Sequence, residues 1–338
     1  MTSPNERLAP AIDAVAPLLS TPGRFVLTTH VNPDGDGLGA EIALACWLRD
    51  RGSRVRVINV SNTPAVYRFL DPGGLMAAYV PARDDADIAA ADAILVMDMN
   101  HPDRLRDMRG PVLASPAVKV CIDHHLDPDP FAHWYVTDED ATSTGEIVFR
   151  ILTRLNGGAV SPEIATALYC AIMTDTGSFR YPRVDEETHR IIGRLISAGA
   201  DPVRIYAAVY EQWSQGRIRL LGETLAGLKT EYDGRLAHVT ITQEMLRRTG
   251  TSEEDTDNFT TYPMSVSGVQ VGILFLELPK GMKMSLRSKG NIAINELARV
   301  FGGNGHKNAA GARVDNGTID DVRPRIISAA EPYLENPS

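Results

Sequence analysis

Three apolar, β-prone runs each stop at a side chain able to hold a cation. Residues 25–29 run into His30, residues 93–97 into Asp98, and residues 118–122 into Asp123, His124 and His125. Between the first two lies a helical pattern over 37–50, with Leu38, Ile42, Ala45 and Leu48 on one stripe. A further strand is expected over 54–60. Strands separated by helices pair in parallel through crossovers, which makes this part an α/β fold around a parallel sheet. In such sheets ligands collect beyond the carboxyl ends of the strands. His30, Asp34, Asp36, Asp98 and Asp123–His125 all follow such ends.

Further helices are expected over 143–155 and 162–174, with Asp175 closing the second. From 186 to about 232 the pattern stays helical, broken at Gly199-Ala200-Asp201-Pro202. Its last part, 213–231, reads as a connecting helix. From 235 the texture changes: strands over 236–242, 269–278 and 282–287, then a helix over 292–300, make a smaller α+β domain. The expected organisation is a catalytic domain over 1–212, the connector, and a substrate-binding domain over 232–335, with the active-site cleft between the two domains.

Composition narrows the function. A net charge of −9 argues against general adhesion to nucleic acid or anionic membranes. Cys46, Cys121 and Cys170 are far apart, each in an apolar run, which suits buried reduced thiols. No apolar stretch is long enough to span a bilayer, and Glu6, Arg7 and Asp13 interrupt anything resembling a secretory leader. A cytoplasmic enzyme without a membrane partner is expected.

Pro33 and Gly35 turn the chain so that Asp34 and Asp36 can face one point. Gly37 and Gly39 let backbone approach an anion at the start of the next helix. Asp98 and Asp175 arrive from other element ends. Several carboxylates in one cleft repel each other unless cations intervene. A pair of divalent ions is the usual clamp for phosphoryl chemistry. Mixed imidazole and carboxylate donors favour Mn²⁺ over Mg²⁺; Co²⁺ is a further option. Asp-Gly-Asp alone is more often a solvated turn, and His-His more often a surface pair. The convergence of four separate segments is what points to metal.

His30-x-x-x-Asp34-x-Asp36, then Asp98, then Asp123-His124-His125, then Asp175 resembles the signature of the DHH phosphoesterase superfamily. Gly302-Gly303-Asn304-Gly305-His306-Lys307-Asn308-Ala309-Ala310-Gly311 resembles the glycine-rich signature of its DHH-associated C-terminal domain. The nearest subfamily in pattern is that of oligoribonucleases that also act on phosphoadenosine phosphate, the nanoRNases. The resemblance implies one cation on His30, Asp34 and Asp98, and a second on Asp36, Asp98, His124 and Asp175. It casts Asp123 as an acid orienting a histidine, and His125 as the group facing the scissile phosphate. A hydroxide between the metals is the expected nucleophile. Ala40, Met99-Asn100 and Asn304 depart from the usual pattern, and none removes a metal ligand.

Residues 281–313 carry six basic side chains (Lys283, Arg287, Lys289, Arg299, Lys307, Arg313) and one acid, Glu296. Such an excess on an acidic chain can collect a phosphate chain. Gly303 and Gly305 lack Cβ atoms, so backbone can approach a nucleotide. The family resemblance implies Arg287, His306 and Lys307 as substrate residues, and Lys289, Gly303 and Gly305 are expected beside them; Lys283 and Arg299 read as solvated. Aromatics are scarce, which disfavours a long base-stacking platform. The expected activity is hydrolysis of short single-stranded RNA and removal of the 3′-phosphate of 3′-phosphoadenosine 5′-phosphate. The alternatives are a phosphodiesterase for cyclic or linear dinucleotides and a non-catalytic nucleotide sensor. A homodimer is compatible with all three.

Overall fold

The computed structural model describes residues 4–315 and 317–334. Residues 1 and 335, the outer limits of the expected domains, lie outside them. The chain forms two units, one ending at Gln212 and the other beginning at Trp213.

The first unit runs α1 (Pro4–Ser20), β1 (Arg24–Thr28), α2 (Gly35–Arg49), β2 (Arg54–Asn59), β3 (Met76–Ala78), α3 (Pro81–Ala90), β4 (Ala93–Met97), α4 (Arg109–Ala114), β5 (Val118–Asp123), β6 (Trp134–Thr137), α5 (Thr144–Asn156), α6 (Pro162–Asp175), α7 (Glu186–Ser197) and α8 (Pro202–Tyr210). Its six-stranded sheet has the order β3-β2-β1-β4-β5-β6 and is parallel throughout. Alternate residues feed two cores. Phe25, Leu27, Leu95, Val120 and Ile122 pack on one face with α1, α2, α5, α6 and α7. Val26, Ile94 and Val96 pack on the other with Ile88, Leu105, Met108 and Val112. Burial on both faces explains the near-continuous apolar runs of β1, β4 and β5.

Register sets the site. Thr28 lies opposite Val96, and Val96 opposite Cys121. His30, Asp98 and Asp123, each two residues further on, therefore leave the sheet at one level. Helix α2 is buried from Gly35 to Leu48. A Cβ on Gly39 would stand 2.4 Å from the Ala167 carbonyl oxygen, so this glycine lets α2 seat against α6. Gly35, expected in the turn, opens the helix instead.

The second unit runs α9 (Gln215–Ala226), β7 (Lys229–Glu231), β8 (Leu236–Ile241), α10 (Gln243–Thr249), β9 (Val271–Glu277), β10 (Met282–Ser288), α11 (Ile294–Val300), β11 (Asn304–His306), β12 (Ala309–Val314) and α12 (Ile319–Ala330). Its sheet has the order β11-β12-β10-β9-β8-β7, antiparallel except between β8 and β9. One face packs on α11 and α12. The other packs Val239, Ile241, Leu274 and Leu276 against Leu220 and Leu246.

The connector expected over 213–231 is not one helix. Helix α9 stops at Ala226, and residues 229–231 pair with β8, Lys229 opposite His238. Leu220 is fully buried in the second unit's core, so this segment is part of that unit's body.

Candidate metal centre

His30 follows β1, 4% exposed. Its Nδ1 lies 2.9 Å from the Val31 carbonyl oxygen. A proton on Nδ1 satisfies that carbonyl and leaves the Nε2 lone pair for a cation. Nε2 stands 3.3 Å from Asp98 and 3.8 Å from Asp34. Asp34 caps α2, accepting from the backbone N–H groups of Asp36 and Gly37. Asp98 sits at φ 55°, a left-handed conformation that is strained for an aspartate. Its N–H donates to the Ile122 carbonyl and its Oδ1 accepts from the Thr144 hydroxyl.

Asp36 is buried, and its two oxygens accept from the N–H groups of Thr144 (2.7 Å) and Gly145 (2.8 Å), the first turn of α5. A helix start suits an anion. His124 Nδ1 meets the Ala141 carbonyl at 3.3 Å. Its Nε2 points to Asp175 (3.4 Å), Asp98 (3.7 Å) and Asp36 (3.8 Å). His125 turns the other way: Nδ1 lies 2.7 Å from Asp123 Oδ1, and its own N–H donates to Asp123 Oδ2. Asp123 thus orients His125, and the Ala141 carbonyl orients His124.

Three donor groups result: His30, Asp34 and Asp98; Asp36, His124 and Asp175; and Asp98, His124 and His125. Within each, donor atoms lie within 4.8 Å of one another. Asp98 belongs to two of them.

The electrostatics fit cations. Burial pushes the Asp36 carboxyl well above the ordinary range, and the charges of Asp98 and Asp175 add to it. Burial and Asp98 raise Asp34. Burial is the main force carrying Asp175 to about 6, against the pull of His124. Asp98 is the exception: burial opposes its charge, but His30, His125 and His124 outweigh it. Four acids and two imidazoles converging with no thiol among them, Asp36, Asp98, His30 and His124 buried and Asp34 and Asp175 open to solvent, form a donor set for a hard or borderline divalent ion.

Other residues serve the site from behind. Asn100 Nδ2 donates to the carbonyls of His125 and Leu126, fixing the chain beyond β5. Glu41, fully buried on α2, accepts from Asn59 Nδ2 at 2.8 Å, and Asn59 Oδ1 accepts from the Thr29 N–H at 2.9 Å. Thr29 precedes His30. The sequence signal was a single acid inside an apolar helix, between Ala40 and Ile42.

In the second unit, β10 places Arg287 opposite Ala309, and Ala309 opposite His306. Only the backbone of His306 is described. Lys289 follows the end of β10, and Lys307 lies in the turn after β11, donating to Asn291 at 3.0 Å. Arg287, Lys289 and Lys307 therefore share one end of the sheet. The glycines have a packing role. A Cβ on Gly303 would lie 2.2 Å from the Gly311 carbonyl oxygen, and one on Gly305 2.4 Å from Ala310 Cα. Their open side is filled by β12. Lys283, expected to be solvated, pairs with Glu253, which also holds Arg313.

Comparison with known proteins is consistent across the chain. Residues 24–172 match the DHH family, N-terminal domain, and residues 234–336 match the DHHA1 domain. A bifunctional oligoribonuclease and PAP phosphatase NrnA of Thermus thermophilus is 28% identical over 318 residues, covering 94% of this chain and 92% of its own. A Bacillus subtilis protein of the same name is 26% identical, covering 86% and 89%. The crystal structure of an exopolyphosphatase-related protein from Bacteroides fragilis superposes with a TM-score of 0.91, 32% identity and 96% coverage of both chains.

Proposed function

The chain belongs to the DHH family, and from that premise we propose that it is a metal-dependent phosphoesterase that hydrolyses very short RNA and the 3′-phosphate of phosphoadenosine phosphate. The observation that carries this reading is the sharing of Asp98 between adjacent donor groups. The two similar NrnA proteins, named for both activities, support the substrate choice.

His30, Asp34 and Asp98 would hold one cation, and Asp36, Asp98, His124 and Asp175 the other, with Mn²⁺ the preferred ion and Mg²⁺ or Co²⁺ as substitutes. Such a pair neutralises phosphate oxygens and makes water nucleophilic at neutral pH. The protein's own groups do the rest. Asp123 fixes His125 through Nδ1, which leaves Nε2 to donate a proton to the leaving oxygen. The amides of Thr144 and Gly145 hold Asp36 in place. Arg287, Lys289 and Lys307, with Gly303, Gly305 and His306 shaping their hairpin, bind the part of the substrate that is not cleaved. Among the described residues no helix is long and apolar enough to cross a membrane.

The test is parallel turnover of a ribodinucleotide, phosphoadenosine phosphate and cyclic di-AMP with Mn²⁺. Efficient cleavage of the first two is expected. A marked preference for the cyclic dinucleotide would replace this reading with that of a cyclic-dinucleotide phosphodiesterase.

A further inference from the structure

A cavity of about 310 Å³ opens in the first unit, lined by Asn62, Thr63, Arg68, Asp71, Met76 and Ala78. It lies at the same carboxyl edge as the metal centre. Leu27 is level with Val57 and Val57 with Met76, so Thr29, just past β1, is level with Asn59 and Ala78, the last residues of β2 and β3. The edges of β1 and β3 are two strand spacings apart, roughly 10 Å.

The cavity is tied to the loop that carries the metal ligands. The Asn32 N–H, between His30 and Asp34, donates to the Ser61 hydroxyl at 3.0 Å, and Asn62 begins the lining. Tyr67 packs, partly buried, against the first unit's core. Arg68 follows directly. Its guanidinium has no ion pair or side-chain hydrogen bond among the described residues. Asp71, in the same lining, makes no ion pair with it: its two carboxylate oxygens accept the N–H groups of Leu75 (2.8 Å) and Met76 (2.7 Å) and hold their own turn. The cavity therefore presents a planar cation, a carboxylate engaged by its own turn, a carboxamide and a hydroxyl directed at the Met76 sulfur, over a methyl group.

We propose that this cavity is a subsite for an internal phosphodiester of the oligonucleotide, one that phosphoadenosine phosphate is too short to reach, with Arg68 as the anion-binding group. The inference rests on the phosphoesterase reading above and extends it. A guanidinium fits a phosphate through paired N–H donors. The Asn62 carboxamide supplies a further donor. Substrate length then becomes the variable that the cavity senses.

The experiment compares wild type, Arg68→Ala and Arg68→Lys on phosphoadenosine phosphate, a ribodinucleotide and a ribotetranucleotide with the same Mn²⁺. For Arg68→Ala, KM for the tetranucleotide should rise roughly 10- to 100-fold at unchanged kcat, the worth of one charge-assisted bond. KM for phosphoadenosine phosphate should stay put, which also shows the variant is folded. Arg68→Lys should recover part of the loss. The dependence of log KM on log salt for the tetranucleotide should become shallower by about 0.7 in Arg68→Ala. An unchanged KM for the tetranucleotide, or an equal rise for all three substrates, would overturn the subsite while leaving the phosphoesterase reading intact. So would a wild type that cleaves phosphoadenosine phosphate but not the tetranucleotide. A wild type that cleaves none of the three would overturn the functional reading and this subsite with it.

Discussion

Asp123 grips His125 twice: Oδ1 lies 2.7 Å from the ring Nδ1, and Oδ2 accepts the backbone N–H at 3.2 Å. Asp123 is fully buried, whereas the His125 side chain is 39% exposed. An anchored carboxylate behind a half-open imidazole sets both the tautomer and the direction of the ring. Burial pulls the His125 pKa down, but the bond to Asp123 and the charge of Asp98 more than offset it. Asp123→Asn keeps the shape and loses the charge. We expect kcat to fall about 10- to 100-fold with KM little changed, since the ring is misdirected rather than removed. Steady-state kinetics on phosphoadenosine phosphate would show it. A variant with wild-type kcat would take Asp123 out of the positioning role.

Asp98 should be the costliest acid to lose. It stands 3.3 Å from His30 and 3.7 Å from His124, one imidazole from each proposed cation site. Asp98→Ala should therefore abolish binding of both cations, whereas Asp34→Ala should spare one. Equilibrium dialysis against Mn²⁺ counts the ions directly and needs no turnover. Retention of one tightly bound ion in Asp98→Ala would show that the residue does not bridge.

Arg287 tests the second unit. Its register places it beside the β11–β12 hairpin, far along the chain from every proposed metal ligand. Arg287→Ala should raise KM for nucleotides roughly tenfold and leave kcat and Mn²⁺ binding close to wild type. An unchanged KM would remove Arg287 from the substrate role.

Glu41 gives a prediction for stability rather than rate. Burial lifts its carboxyl to about 8, against the opposing bond from Asn59. The folded state thus holds a proton that the unfolded chain, with an ordinary carboxyl, releases above about pH 4.5. Its contribution to stability falls as pH rises from there and levels off beyond pH 8. Glu41→Gln is neutral throughout and keeps an acceptor for Asn59. The Tm of the metal-free variant relative to wild type should rise by a few °C between pH 5 and pH 8. A difference that is flat with pH would mean that Glu41 is ionised in the folded protein.

The N-terminal sheet was readable because its strands are short, apolar and buried on both faces, so that His30, Asp98 and Asp123 stand out where the apolar runs stop. The polar groups that support them were not. Glu41 and Asn59 are 18 residues apart, and their pairing exists only after α2 lies on the sheet. The expected helix over 213–231 failed at its end. Lys-Thr-Glu becomes a strand only because β8 offers it an edge. Strand β6 is also hidden, since Trp134–Thr137 mixes exposed and buried positions and gains its structure from pairing with β5. Gly303 and Gly305 were expected to make room for ligand; the space beside them is taken by β12.

Anomalous diffraction from crystals soaked in Mn²⁺ is the most direct test of the central claim. We expect two peaks about 3.5–4 Å apart, one among His30, Asp34 and Asp98, the other among Asp36, His124 and Asp175, with an Asp98 oxygen between them. A saturated crystal with no manganese among these six side chains would contradict it.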